Sequence, residues 1–351
     1  MWRTVGHERA VRTFQRSLSE DRLAHGYLLL GPANVGKTTL ALELAQAVNC
    51  LAENKPCGEC VQCQRIAAGK HADVKIITRD VLSKEGRERT KSEIGIDQVR
   101  DVQRSASLSP YEGKCSVFIF EGVQYLSQEA ANSLLKTLEE PPAHVLLILL
   151  SDEKEEALTP TIVSRCQVIE LSPLPASLVI KTLKDRWAAE PSKAEELSRL
   201  SGGRIGWAVR ALTEPGFLEP RNERLRRILA LMGSGLEERF DYAAEVSLQF
   251  GRKRESVREE MELWLSVMRD LLMLKEGVAG VITNLSIAGL LESLAPQIST
   301  TGIMDGAKAV ETTWHNLEQN ANPRLALESL MLALPIVEVK ETMHQKIGDP
   351  A

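Results

Sequence analysis

Hydrophobic positions in this chain fall into two regimes. Up to Leu171, short apolar runs alternate with amphipathic stretches, and beyond it the apolar positions recur almost everywhere at helical spacing. The runs Tyr27–Leu30, Val74–Thr78, Val117–Phe120, Val145–Leu150 and Val168–Leu171 predict strands. Between them, Thr39–Val48 and Ile94–Ser105 predict helices, so the region reads as an α/β fold with a parallel sheet wrapped by helices. Ser83–Ser92 is charged and lacks an apolar period, which predicts a mobile loop.

Pro173 and Pro175 mark a boundary. Ala176–Ala188, Lys193–Leu200 and Gly206–Leu212 predict three helices that end before Pro215, and Glu259–Leu274 and Arg324–Leu334 belong to a later helical bundle. The expected organisation is therefore an α/β domain over 1–171, a small helical domain over 172–216, an all-α domain over 217–340 and a tail over 341–351.

Composition narrows the class. A chain of 351 residues exceeds the size at which a single core stops growing. With 43% hydrophobic and 26% charged residues it folds rather than staying disordered. A net charge of -5 argues against gripping nucleic acid unaided, so any DNA contact is local or shared with partners. The longest apolar run, Val145–Leu150, is far shorter than the ~20 residues that span a bilayer, and Met1-Trp2-Arg3-Thr4 carries no apolar leader. No membrane association and a cytoplasmic location are the expectations.

Candidate chemistry begins directly after the first strand. Gly31-Pro32-Ala33-Asn34-Val35-Gly36-Lys37-Thr38 fits the phosphate-binding loop pattern, between a strand and a helix that opens at Thr39. Backbone N–H groups of Gly31, Asn34, Val35, Gly36 and the helix start (Thr38, Thr39) would face the phosphates of ATP or ADP. Lys37 would reach the β and γ groups, and the Thr38 hydroxyl would hold Mg²⁺. A hydrolysing site also needs an acidic residue at the end of a second apolar strand and a neighbouring carboxylate to polarise water. Here Val117–Phe120 ends in Glu121-Gly122. Glu121 can take the metal role, unless it is simply a solvated strand end, but Gly122 has nothing with which to activate water. Slow hydrolysis or none is expected.

A second cluster follows the first helix. Cys50, Cys57, Cys60 and Cys63 are spaced to surround one structural Zn²⁺ tetrahedrally, a small zinc module inserted at about 50–63. Buried free thiols are the competing reading. Cys115 and Cys166 read as small core residues.

With these motifs in place, the chain resembles the bacterial clamp-loader subunits of the AAA+ class, and the resemblance covers nearly its whole length. Val5-Gly6-His7, Leu23-Ala24-His25-Gly26-Tyr27, the phosphate loop, the four cysteines, Ala131–Pro142 and Ser164-Arg165-Cys166 occur in the family's order, and Asn322–Glu328 is similar to the segment that closes its C-terminal collar. The resemblance implies an AAA+ domain, a helical lid and an all-α collar. It also implies that Arg165 is an arginine finger acting in trans on a neighbour's nucleotide, and that the helix bearing Arg100 and Arg104 faces DNA, although a solvated helix face is the simpler reading of that pair. The implied partners are the gamma/tau and delta subunits, primed DNA within the assembly and, indirectly, the sliding clamp. Gly122 stands where the family's motor subunits carry their catalytic Glu, and Gly206 resembles the position of their sensor Arg. Both departures favour the delta-prime type over a gamma/tau-like motor that hydrolyses ATP at its own site. Polymerase activity is not expected.

Overall fold

A computed structural model of the chain describes residues 2–82, 88–90, 93–250 and 254–337. It divides into two compact units, Met1–Val209 and Arg210–Ala351.

Among the described residues, the first unit has seven strands: β1 (Gly26–Leu30), β2 (Val74–Ile77), β3 (Asp80–Leu82), β4 (Glu88–Thr90), β5 (Ser116–Glu121), β6 (Val145–Ser151) and β7 (Gln167–Glu170). Five form one sheet in the order β2-β5-β6-β1-β7, with every pairing parallel. All five predicted strands are in it. The central strands β1 and β6 are buried along their full length, which explains why they read as continuous apolar runs rather than alternating ones.

Alternation nevertheless assigns each side chain to a face. Leu28, Leu30, Phe118, Phe120, Leu147 and Leu149 belong to one core. Tyr27, Leu29, Val117, Ile119, Leu146 and Ile148 belong to the other. Residues of α1 (Glu8–Ser19), α2 (Lys37–Asn49) and α3 (Val61–Ala67) cover the second face. Those of α4 (Ile96–Ala106), α5 (Gln128–Glu139) and α6 (Pro160–Val163) cover the first.

The expected loop at Ser83–Ser92 differs in one part. Glu88–Thr90 is a strand, paired antiparallel with Asp80–Leu82. Three backbone-paired residues carry too little side-chain pattern to register as a strand in sequence. The remainder of that expected loop, 83–87 and 91–92, lies outside the described residues, as does the tail 341–351. Three helices complete this part of the chain: α7 (Ala176–Trp187), α8 (Pro191–Ser201) and α9 (Ile205–Thr213).

Among its described residues the second unit has helices and no strand: α10 (Glu219–Met232), α11 (Leu236–Phe250), α12 (Arg254–Lys275), α13 (Ala288–Leu294), α14 (Thr300–Glu318) and α15 (Pro323–Ala333). One core, built around Trp264, Tyr242, Leu271 and Leu330, joins all six. Arg239 is almost fully buried there. Its guanidinium donates to the carbonyls of Leu231, Met232, Met331, Leu334 and Pro335. These carbonyls lie at or just beyond the C-terminal ends of α10 and α15, where helices leave acceptors without internal partners.

Candidate functional site

Because the strands are parallel, their C-terminal ends share one edge of the sheet, and crossover chemistry collects there. The phosphate loop leaves β1, Glu121 ends β5 with Gly122 just after it, Asp152 follows β6, and Thr78 and Arg79 follow β2. Together with Ala33, Asn34, Gly36, Lys37, Thr38, Thr39, Tyr125, Leu150 and Gly206 they line a cavity of about 380 Å³. Most of the nominated nucleotide-site residues therefore meet in one place. Gly31 and Val35 lie in the same loop but are not among the lining residues.

Within the loop, Lys37 is nearly buried, and its ammonium donates to Gly31 O (2.6 Å), Pro32 O (2.8 Å) and Asp152 Oδ1 (2.7 Å). Thr38 Oγ1 donates to Glu121 Oε1 at 2.7 Å. This pair brings a hydroxyl and a carboxylate to one point, the ligand pair a P-loop site uses for Mg²⁺. Behind the loop, His7 is buried with Nε2 3.2 Å from Val35 O. Burial lowers its imidazole pKa from the usual value, against the opposing pull of the Val35 carbonyl. Glu43 on α2 accepts from the N–H groups of Arg3 and Thr4 and from the Thr4 hydroxyl, tying the N-terminal segment to the loop's own helix.

Two glycines define what the site lacks. Gly122 has φ +81, and a Cβ placed there would lie 2.7 Å from the Tyr125 ring. A side chain at 122 would therefore be strained by the left-handed backbone and would have to displace the Tyr125 ring. At Gly206, the N–H donates to Asn34 O at 2.8 Å, and a Cβ would sit 2.9 Å from that same oxygen. The start of α9 therefore lies directly on the phosphate loop at a position with no room for an arginine.

Asp152, Arg79 and Tyr125 were not found by sequence reasoning. Asp152 had a usable signal, being the first acidic residue after the apolar run Val145–Leu150. Arg79 and Tyr125 had none, since their pairing, with the guanidinium 3.5 Å from the ring centroid, joins distant segments.

Arg165 lies elsewhere. It follows α6 and precedes β7, whose Gln167 is in register with Tyr27 of β1. A Cβ on Gly26 would be 3.4 Å from Arg165 O. Arg165 is therefore beside the N-terminal end of β1 while the phosphate loop leaves its C-terminal end, and four residue steps of β1 put more than about 13 Å between them. Its guanidinium contacts Glu139 Oε1 (2.6 Å), Thr161 O (2.9 Å) and Ser164 Oγ (3.2 Å), and is about one-third exposed. Arg100 and Arg104 are exposed on α4 and pair with Asp97 and Asp101 of the same helix.

The four nominated cysteines converge. Their Sγ atoms all lie within 4.8 Å of one another, Cys50 to Cys60 at 4.0 Å and Cys57 to Cys63 at 3.9 Å. Sulfurs about 2.3 Å from a tetrahedral Zn²⁺ would be roughly 3.8 Å apart, so the set fits that ion. Backbone N–H groups of Cys57 and Cys60 point at Cys50 Sγ and Cys57 Sγ, at 3.4 and 3.3 Å. The N–H groups of Cys60 and Glu59 draw the Cys57 thiol down to about 6, whereas burial, reinforced by its thiol neighbours, pushes Cys63 up to about 12. Such a mixed set needs a cation before all four sulfurs can ionise together. Cys115 and Cys166 stand apart, each pushed by burial up to about 12, as packing residues would be.

A parallel sheet with a phosphate-binding loop on β1, a Thr38–Glu121 pair at the neighbouring strand end and a helix lying on the loop define a P-loop nucleotide-binding fold of the AAA+ type. Residues 6–175 match the family described as DNA polymerase III, delta subunit, and residues 235–335 match its C-terminal family. The delta' subunit of Bacillus subtilis is 26% identical over 93% of this chain and 95% of its own length. That of Pseudomonas aeruginosa is 39% identical over 51% of this chain and 53% of its own. The tau subunit of Bacillus subtilis is 26% identical over 98% of this chain, which spans only 62% of that longer protein. The chain belongs to the clamp-loader subunits of bacterial DNA polymerase III, of the delta-prime kind. Among the described residues, no helix is long and apolar enough to cross a membrane.

Proposed function

We propose that this subunit acts as a stator: within an assembly of gamma/tau and delta subunits it presents Arg165 to the ATP of an adjacent motor subunit. The assembly then opens a sliding clamp and places it on primed DNA. The observation that carries this reading is the location of Arg165 at the sheet edge opposite its own phosphate loop. From there it does not reach its own nucleotide loop, and its side chain is about one-third exposed. Its bond to Glu139 is a partly exposed ion pair worth about 0–1 kcal/mol, easily exchanged for a phosphate, and a planar guanidinium is suited to the charge that develops there.

The subunit's own cavity would hold ATP or ADP, with Gly31, Asn34, Val35, Gly36, Lys37, Thr38 and Thr39 around the phosphates and Thr38 and Glu121 toward Mg²⁺. A metal held there would supply positive charge to neutralise the phosphates. Lys37 would exchange Asp152 for phosphate oxygen. With Gly122 closed to a side chain, nucleotide here is structural or regulatory and is not turned over. Cys50, Cys57, Cys60 and Cys63 would hold a structural Zn²⁺ that fixes the segment between α2 and α3.

The test is ATP turnover by the reconstituted loader with clamp and primed DNA. Arg165→Ala should lower turnover by about 10³-fold or more, the scale of an arginine finger, while Lys37→Ala should change it little. A steep loss with Lys37→Ala, together with turnover by the isolated chain, would instead establish a motor of the gamma/tau kind.

A further inference from the structure

Beside Glu121, where a hydrolysing site would need a second carboxylate, the cavity is lined by an aromatic ring that carries a cation. The Tyr125 ring fills the room that a side chain at position 122 would take. That same ring carries the Arg79 guanidinium on its face, 3.5 Å from the centroid. Both residues line the cavity, whose charged groups are Lys37, Arg79, Glu121 and Asp152. Lys37 is paired with Asp152 and Glu121 accepts from Thr38. Among the described residues, no carboxylate pairs with Arg79, so it is the cavity's uncommitted positive charge.

Its position selects which phosphate it can meet. Along the strand ends, in the order β1, β6, β5, β2, lie the phosphate loop, Asp152, Glu121 and then Arg79. A polyphosphate cradled on the loop, with Thr38 and Glu121 as the residues that would hold its metal, would have its terminal group on the Glu121 side of the loop, where Arg79 also lines the cavity. Resting on this nucleotide reading of the cavity, we infer that Arg79 is a specificity-determining residue that binds the terminal phosphate of a nucleoside triphosphate in cis. The stacked guanidinium leaves the Tyr125 face for a charge-assisted, bidentate contact, which is the stronger of the two interactions. No bond is made or broken. The site retains a triphosphate in preference to a diphosphate.

The experiment is equilibrium binding of fluorescent, non-hydrolysable ATP and of fluorescent ADP, both with Mg²⁺, to the full chain and its variants. In the wild type the triphosphate should bind more tightly than the diphosphate. Arg79→Ala should reduce that preference about tenfold, Arg79→Lys should reduce it partially because charge persists without the planar fork, and Lys37→Ala should weaken both nucleotides. If Arg79→Ala leaves the ratio unchanged while Lys37→Ala weakens both, the inference about Arg79 fails and the nucleotide site stands. If wild type binds neither nucleotide, or Lys37→Ala has no effect, the reading of the cavity fails and this inference with it. Melting temperatures of the three variants identify any loss that comes from misfolding.

Discussion

Gly122 shows how much a single residue decides here. In sequence it is an absent carboxylate; in the structure it is a left-handed backbone position pressed against Tyr125. Gly122→Glu should therefore not convert the chain into an ATPase. A left-handed conformation costs a non-glycine residue about 1–2 kcal/mol, and the ring contact adds to that. The expected result is a lower denaturation midpoint with no gain in turnover by the isolated chain, read by urea unfolding and phosphate release. Measurable turnover at wild-type stability would mean that the backbone at 122 relaxes freely. Lys37, Thr38 and Glu121 were legible in the sequence because loop spacing and strand ends mark them. Asp152 was only half legible, and Arg79 with Tyr125 was not, because a cation stacked on a ring from another segment has no sequence period.

At the scale of elements, the cysteine module is the clearest case of local spacing producing a local site. Four thiols within fourteen positions converge on one point. The fold does fasten the module: Gln46 on α2 donates to Cys63 O at 2.8 Å, and Gln62 on α3 donates to Glu112 O at 2.8 Å while its amide oxygen lies 2.7 Å from His71 Nε2. Purified chain should carry one zinc per molecule by elemental analysis, and Cys57→Ser with Cys60→Ser should lose it. Chelation should lower the melting temperature of the wild type and leave the double variant unaffected. Wild-type chain that lacks zinc and ignores chelator would favour plain buried thiols. The five sheet strands were equally legible, each being an apolar run of the right length, whereas the short β3–β4 ribbon was not, because its pairing is made by backbone groups.

Across the whole molecule, each unit has its own core. The helical core contains only residues between Leu225 and Val337, and Arg239 closes helix ends within it. A fragment starting at Phe217 should therefore stay helical and unfold cooperatively by circular dichroism. Loss of the cooperative transition would show that this core depends on the rest of the chain. Arg239 itself was invisible in the sequence, where a charged residue on a helix reads as surface. The sequence alone determined the α/β-then-helical order, the phosphate loop, the zinc-type spacing and the absence of a carboxylate at 122, because each is written in contiguous residues or in a strict period. Only the tertiary structure decided that Arg165 lies across the sheet from its own loop, that Tyr125 closes the space beside Gly122, and that Arg79 stands at the far end of the cavity. Those relations follow from parallel strand order and register, which bring distant segments to one edge or to opposite ones and leave no mark on any single stretch of chain.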